Sequence, residues 1–389
     1  MKHVAYVIPA IDRIGGAEKQ VIRLATGLAG RGWKVSVIAL AGTGGEIAPK
    51  LNLAGIGFRS LEMRKGLMDP CGWIRLHSWI RQNRPDIVHA HLPHASLMAR
   101  WSRLAAPMRI LVDTIHSPAT GGVLRRLGYR MSAALPDVVT AVSRAAADPW
   151  LSAGMVNEER LAIIFNGIDI DSWKRDDTLR KTFRAKLRLT NEFLWLSVGR
   201  LDPVKDHATL LRAFRKLPSE ARLVIAGDGH LRDELLSLAQ ELGLSERVQF
   251  AGFQTEVLPW MCAADGFVLC SRWEGLPISL LEAGASRLPA VITNIPGARE
   301  VLPDFQRDQA VRCRDASALA ARMQAVMSMS DLERLDLGMG IYKSVCERFN
   351  LDAVLNQWEN LYDQQLDKNP QPSRFRTLTS SLGRTFQLQ

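Results

Sequence analysis

The 389-residue sequence predicts an α/β protein built of two parallel-sheet domains, on three observations. Short β-branched runs alternate with longer amphipathic stretches, which is how strands buried on both faces between helices read. That alternation stops near residue 165 and restarts after a polar, tryptophan-bearing stretch. The chain is also too long for one ordinary core, since domains hold roughly 100–200 residues.

Taken in order, the first set of strands is expected at His3 to Ile8, Lys34 to Leu40, Ile87 to His89, Ile110 to Ile115, Asp137 to Ala141 and Ala162 to Phe165, giving a domain over residues 1–165. Residues 166–180 form the linker. The second set falls at Phe193 to Val198, Arg222 to Ala226, Val248 to Ala251, Phe267 to Cys270 and Ala290 to Ile292, within a domain over residues 181–340. Residues 341–366 are helical and are expected to pack back toward the first domain. The remainder, 367–389, carries Pro370, Pro372 and several Ser and Thr with little periodicity, and is expected to be a mobile tail. Parallel sheets of this kind bind ligands beyond the carboxyl ends of their strands, so two Rossmann-like domains facing across a cleft are expected to hold the site between them.

Composition narrows the class. With 47% hydrophobic and 23% charged residues the chain is an average globular protein, neither disordered nor fibrous. No apolar run approaches the roughly 18 residues of a membrane span, and Met1, Lys2 and His3 lead straight into a strand, so a cytoplasmic protein is expected. The five cysteines are scattered and form no C-x-x-C pair, which argues against a disulfide framework or a zinc site. Charge is uneven: residues 1–170 hold 21 Lys+Arg against 12 Asp+Glu, whereas the rest hold 29 against 28. A basic first half fits nucleic acid, anionic lipid or a phosphorylated substrate.

Three loops carry the chemistry. Ser271-Arg272-Trp273-Glu274-Gly275-Leu276-Pro277 follows a buried strand and opens a helix, with Pro277 expected at its first helical position. Backbone N–H groups and the positive end of a helix dipole there suit a diphosphate, and Gly275 permits close approach. Glu274 and Glu282 lie eight apart and can accept hydrogen bonds from hydroxyls on different parts of one ligand. In the loop Gly199 to Asp206, Arg200 and Lys205 can meet the same diphosphate, one as a planar fork and the other as a point charge. Gly15 and Gly16, after the first strand, allow a phosphate or sugar near the backbone. Gly227-Asp228-Gly229 falls short of the dinucleotide fingerprint, since Arg232 stands where its last glycine belongs.

The early Gly-Gly loop, His89-Ala90-His91, Thr114-Ile115-His116-Ser117, Asn166-Gly167-Ile168-Asp169, the Gly-Arg-Leu-x-Pro-x-Lys-Asp run and the E-x7-E element together resemble the family 4 (group 1) glycosyltransferases of the GT-B fold, over roughly Met1 to Leu366. The resemblance implies a retaining, metal-independent transferase. It would move a sugar from a nucleotide-diphosphate-sugar to a saccharide or lipid-linked acceptor, in cell-surface polysaccharide or glycolipid synthesis, with no cofactor. By the same resemblance Gly15 and Gly16 meet the donor, Arg200 and Lys205 neutralise the leaving diphosphate, Glu274 with Gly275 and Leu276 holds the donor sugar, Glu282 binds the ribose, Phe253 lies beside the base, and His116 contacts the donor sugar on the acceptor side.

The same residues admit other readings. Asp169-Ile170-Asp171 has the form of a metal-holding D-x-D but lies in the linker, and His89, His91 and His94 could suggest zinc but lack an accompanying Cys or carboxylate motif, which favours a structural or acceptor-side role. Another nucleotide-sugar enzyme of the same fold, an epimerase or phosphorylase, would share the phosphate contacts. A nucleic-acid-binding protein would share the basic half but lacks any signature, so no nucleic acid is expected. Finally, a helix over Gly72 to Arg84, with Trp73, Leu76 and Ile80 on one face and Arg75, Arg81 and Arg84 beside it, is expected to dock peripherally on an anionic membrane surface.

Overall fold

The computed structural model describes residues 1–12, 15–64 and 69–370. It divides into two compact units, one made of Met1–Ala141, Ala147–Ile164 and the chain from Leu355 on, the other of Val142–Ala146 and Phe165–Val354.

The first unit holds a seven-stranded sheet of β1 (His3–Ile8), β2 (Lys34–Ala39), β3 (Gly57–Ser60), β4 (Ile87–His91), β5 (Ile110–Ile115), β6 (Val138–Ala141) and β7 (Leu161–Ile163), in the order β3-β2-β1-β4-β5-β6-β7. All pairs are parallel. Every residue of β1, β4, β5 and β6 is buried, as strands covered on both faces must be, and this is why they read as continuous apolar runs. The one strand the periodicity did not show, β3, is the edge strand Gly-Phe-Arg-Ser, half-exposed and without an apolar run.

The second unit holds a five-stranded parallel sheet of β8 (Phe193–Val198), β9 (Ala221–Ala226), β10 (Val248–Gly252), β11 (Gly266–Leu269) and β12 (Ala290–Ile292), in the order β10-β9-β8-β11-β12. Chain order reverses direction across the sheet between β1 and β4 in one unit and between β8 and β11 in the other. Those are the switch points beyond which such sheets bind ligands.

The expected boundary at residue 341 falls inside the helix Asp331–Arg348, which belongs to the second unit. Gly338 and Gly284 make room there, each so close to its neighbour that an added Cβ would lie within 3 Å of Arg287 O or of the Ile341 side chain. The helix Leu351–Lys368 joins the first unit from Leu355 on and extends two residues into the expected tail. Trp358 and Tyr362 are buried in that unit, Glu359 pairs with Arg31 at 2.6 Å and accepts from Trp33 Nε1 at 2.9 Å, and Arg109 donates to the terminal carbonyls of Leu366 and Asn369. Residues 371–389 of the expected tail lie outside the described residues.

The helix expected to meet a membrane runs Pro70–Asn83, with Asp69 capping it through Cys71 N and Gly72 N. Its apolar stripe is not free. Leu76 and Ile80 are buried in the core of the first unit with Val7, Val88 and Leu111, Trp73 packs against that core, and Arg81 donates to Ala105 O at 2.7 Å. The stripe is therefore the buried face of a helix on a Rossmann sheet, and the lipid-facing role expected of it is corrected. Among the described residues no helix is long and apolar enough to cross a membrane.

Candidate functional site

At the switch point of the second sheet, two loops leave the carboxyl ends of β8 and β11. The β8 loop is shaped by Asp202, whose carboxylate accepts from Val204 N at 3.1 Å and Lys205 N at 3.2 Å, a local turn that Asp favours. Two glycines let it sit tightly on the β9 loop: a Cβ on Gly227 would lie 1.8 Å from Gly199 O, and one on Gly229 would lie 2.3 Å from Leu201 O. Gly227-Asp228-Gly229, which fails as a dinucleotide fingerprint, thus serves as the seat of the Arg200–Lys205 loop.

The Lys205 side chain turns inward over Gly199 and its Nζ pairs with Glu274 Oε1 from the β11 loop. Ser271 Oγ donates to the same oxygen at 2.8 Å. Both charged side chains are largely buried, at 17% and 15% exposure. The β11 loop is fixed from behind, because Thr293 Oγ1 donates to Ser271 O at 2.6 Å and Gly297 lies so near that a Cβ there would sit 2.4 Å from both Glu274 O and Gly275 O. Ser271 and Gly297 were assigned no role from sequence. A serine three residues before a glutamate was the available signal for the first, whereas nothing local marks the second.

Pro277 is the N-cap of the helix Ile278–Ala285, one position before the first helical residue expected for it. Gly275 and Leu276 are buried in the turn that leads in, and Glu282 is buried in the helix body. Arg200 stands outside the Lys205–Glu274 cluster, with its side chain 81% exposed and Asp202 Oδ2 at 3.3 Å. Phe253 follows Gly252, whose φ of +70° turns the chain at the end of β10, and its ring is exposed at 55%. An exposed aromatic there is a stacking surface for a planar ring.

The remaining expected residues lie at the switch point of the first sheet. Gly15 caps the helix Gly16–Gly30 after β1, and its N–H donates to Glu18 Oε2 at 3.0 Å. His116 follows β5 directly, and His91 ends β4, the strand between β1 and β5. The two rings meet at 2.9 Å, His91 Nδ1 to His116 Nε2. Burial pushes the His116 pKa down to about 4 and holds His91 well below the ordinary histidine range, so both are neutral hydrogen-bonding groups near pH 7. His89 is buried beside them with both ring nitrogens committed, to Tyr362 Oη and Thr114 Oγ1 at 2.6 Å each. That leaves it no lone pair for a metal. Asp169 accepts from Asp171 N at 3.2 Å, and Asp171 pairs with Lys174 at 2.8 Å, so this D-x-D is a turn with a local ion pair. Among the described residues no group of three or more His, Cys, Asp or Glu is arranged to hold a metal.

Residues 14–172 match the family described as Glycosyltransferase Family 4, and residues 180–338 match that described as Glycosyl transferases group 1. The chain is 27% identical, over 89% of its own length and 95% of the other, to the lipopolysaccharide core biosynthesis glycosyltransferase LpsE of Rhizobium meliloti. It is 26% identical, over 58% of itself and 62% of the other, to the UDP-Gal:alpha-D-GlcNAc-diphosphoundecaprenol alpha-1,3-galactosyltransferase of Escherichia coli. Among solved structures, Anabaena HepE in complex with UDP-glucose superposes with a TM-score of 0.82 at 21% identity, covering 93% of this chain and 99% of that one.

Proposed function

The chain belongs to the group 1, family 4 glycosyltransferases of the GT-B fold, and from that membership we propose that it transfers a sugar from a UDP-sugar to a saccharide or lipid-linked acceptor at an anionic membrane surface, with retention at the anomeric carbon and without a metal. The observation that carries this reading is the Lys205–Glu274–Ser271 cluster beyond the switch point of the second sheet, next to a helix N-terminus. A UDP donor is supported by the UDP-glucose complex of HepE, and a lipid-linked saccharide by the name of the Escherichia coli relative.

In this reaction the bond between the anomeric carbon and the diphosphate oxygen breaks while the acceptor oxygen bonds to the same face of that carbon. The acceptor proton passes to the departing phosphate. Negative charge grows on the diphosphate, and Lys205 and the N–H groups leading into Ile278–Ala285 are fixed positive groups able to stabilise it, with the exposed Arg200 swinging in as a further cation. Glu274, held by Lys205 and Ser271, accepts from sugar hydroxyls. Glu282 binds the ribose, Phe253 stacks on the base, Gly16 offers its backbone N–H to the donor while Gly15, its own N–H held by Glu18, permits close approach, and neutral His116 bonds a sugar hydroxyl without adding charge. Because these groups supply the charge that a divalent ion would bring, turnover is expected to persist in excess EDTA. Loss in EDTA that manganese or magnesium restores would overturn the metal-free part of the reading.

A further inference from the structure

The helix Val123–Met131 is anchored in the first unit by one buried side chain and by Arg130, whose Nε donates to Ala153 O at 2.8 Å. Tyr129 is its buried residue, placed under the Arg100 guanidinium at 4.4 Å and edge-on to Trp150 at 4.8 Å, with Gly128 beside Leu97. At about 100° per residue, Val123, Leu124, Leu127 and Met131 fall on the side opposite Tyr129. They are open to solvent, at 70%, 85%, 52% and 66% exposure. Arg126 and the Ala153-bound Arg130 flank this stripe on one edge, whereas Arg125 lies on the side of Tyr129, next to Gly121. All three are exposed.

Four large apolar side chains in water on one short helix need an occupant. Charge selects it. Between Asp113 and Asp137 the chain carries three arginines and no acidic residue, and those two aspartates are engaged by Arg100 and Arg103. A second copy of the chain is a poor match, because nine residues of helix span only about 13 Å and a stable protein interface takes about 800 Å² from each partner. An apolar stripe edged by arginines fits a lipid interface, with the stripe among the upper acyl chains and the guanidinium groups at the headgroups. We infer that Val123–Met131 docks this protein on an anionic membrane surface, a role that the Pro70–Asn83 helix cannot fill because its own stripe is buried. The inference deepens the proposed function and rests on its membrane part.

Co-sedimentation with vesicles of phosphatidylcholine containing 30% phosphatidylglycerol tests it. The protein is expected to pellet at low salt and to release as salt rises. Arg126→Glu should weaken partitioning at least fivefold, since one arginine contributes about fivefold at such a surface and the substitution also adds a repelled charge. Leu124→Gln with Leu127→Gln should also lose at least tenfold while leaving the fold intact, since both side chains are exposed. Wild-type protein that stays in the supernatant, or variants that pellet equally well, would overturn the inference, as would sedimentation velocity without lipid showing a dimer that the leucine variant abolishes. UDP-sugar binding by the same variants, followed by saturation-transfer NMR, separates the two readings. Intact donor binding with no vesicle binding sinks the docking helix alone, and intact vesicle binding with no donor signal sinks the catalytic reading alone.

Discussion

Replacing Lys205 by alanine isolates the charge on which the proposed chemistry turns. In the free protein its ammonium holds Glu274, and two of its three donor positions remain for a ligand. A unit charge about 4 Å from another interacts by about 4 kcal/mol at an effective dielectric of 20. The diphosphate is already charged in the ground state, so only the charge that grows during bond breaking counts. Taking that growth as roughly half to one unit gives about 2–4 kcal/mol, or roughly 30- to 1,000-fold in rate. A fall of about a hundredfold in kcat is therefore expected, in line with loss of one preorganised stabiliser. Stability should fall by about 1–3 kcal/mol, because Glu274 is left largely buried without its ammonium partner, although Ser271 still donates to it at 2.8 Å. Steady-state kinetics at saturating donor, beside a thermal unfolding curve, make the measurement. A folded Lys205→Ala enzyme with near-normal kcat would remove this residue from the leaving-group site.

Two further variants probe the frame around it. Gly297→Ala should lower kcat at least tenfold and also lower the unfolding midpoint, since its Cβ would force the backbone carbonyls of Glu274 and Gly275 from their places and displacements near 1 Å can cost about a hundredfold; unchanged kinetics in the folded variant would show that the loop tolerates the shift. Burial, and then the neighbouring Lys205 charge, lower the His207 pKa from 6.5 to about 3. Between those values the unfolded chain binds a proton that the folded chain refuses, so stability is lost as pH falls through that window. The loss from this one group is about 2 kcal/mol between pH 6.5 and 4.5. Urea unfolding should show His207→Gln with a shallower acid decline than wild type, and parallel declines would refute the assignment.

Strands buried on both faces were legible because their chemistry is monotonous: β1, β5, β8 and β12 begin and end where their apolar runs do. Edge strand β3 was not, since a half-exposed Gly-Phe-Arg-Ser carries no such run. At the site, loop residues that differ chemically from their surroundings could be picked out, among them Lys205, Glu274, Phe253 and His116. What escaped was contact between segments distant in sequence. Nothing in the chain announces that Lys205 and Glu274 pair, that Gly227 and Gly297 seat two different loops, or that His91 meets His116. The membrane-facing stripe shows the same limit from the other side. Pro70–Asn83 and Val123–Met131 are both basic and amphipathic in sequence, and only packing reveals which stripe is spent on the core.

Saturation-transfer NMR on the wild-type protein with UDP-, GDP- and ADP-sugars tests most directly whether the second unit is a nucleotide-sugar site. Saturation of the base and sugar protons of a UDP-sugar, displaced by free UDP and lost from the sugar protons in Glu274→Ala, is the predicted result. Absence of saturation for every nucleotide sugar, with the protein folded, would contradict it.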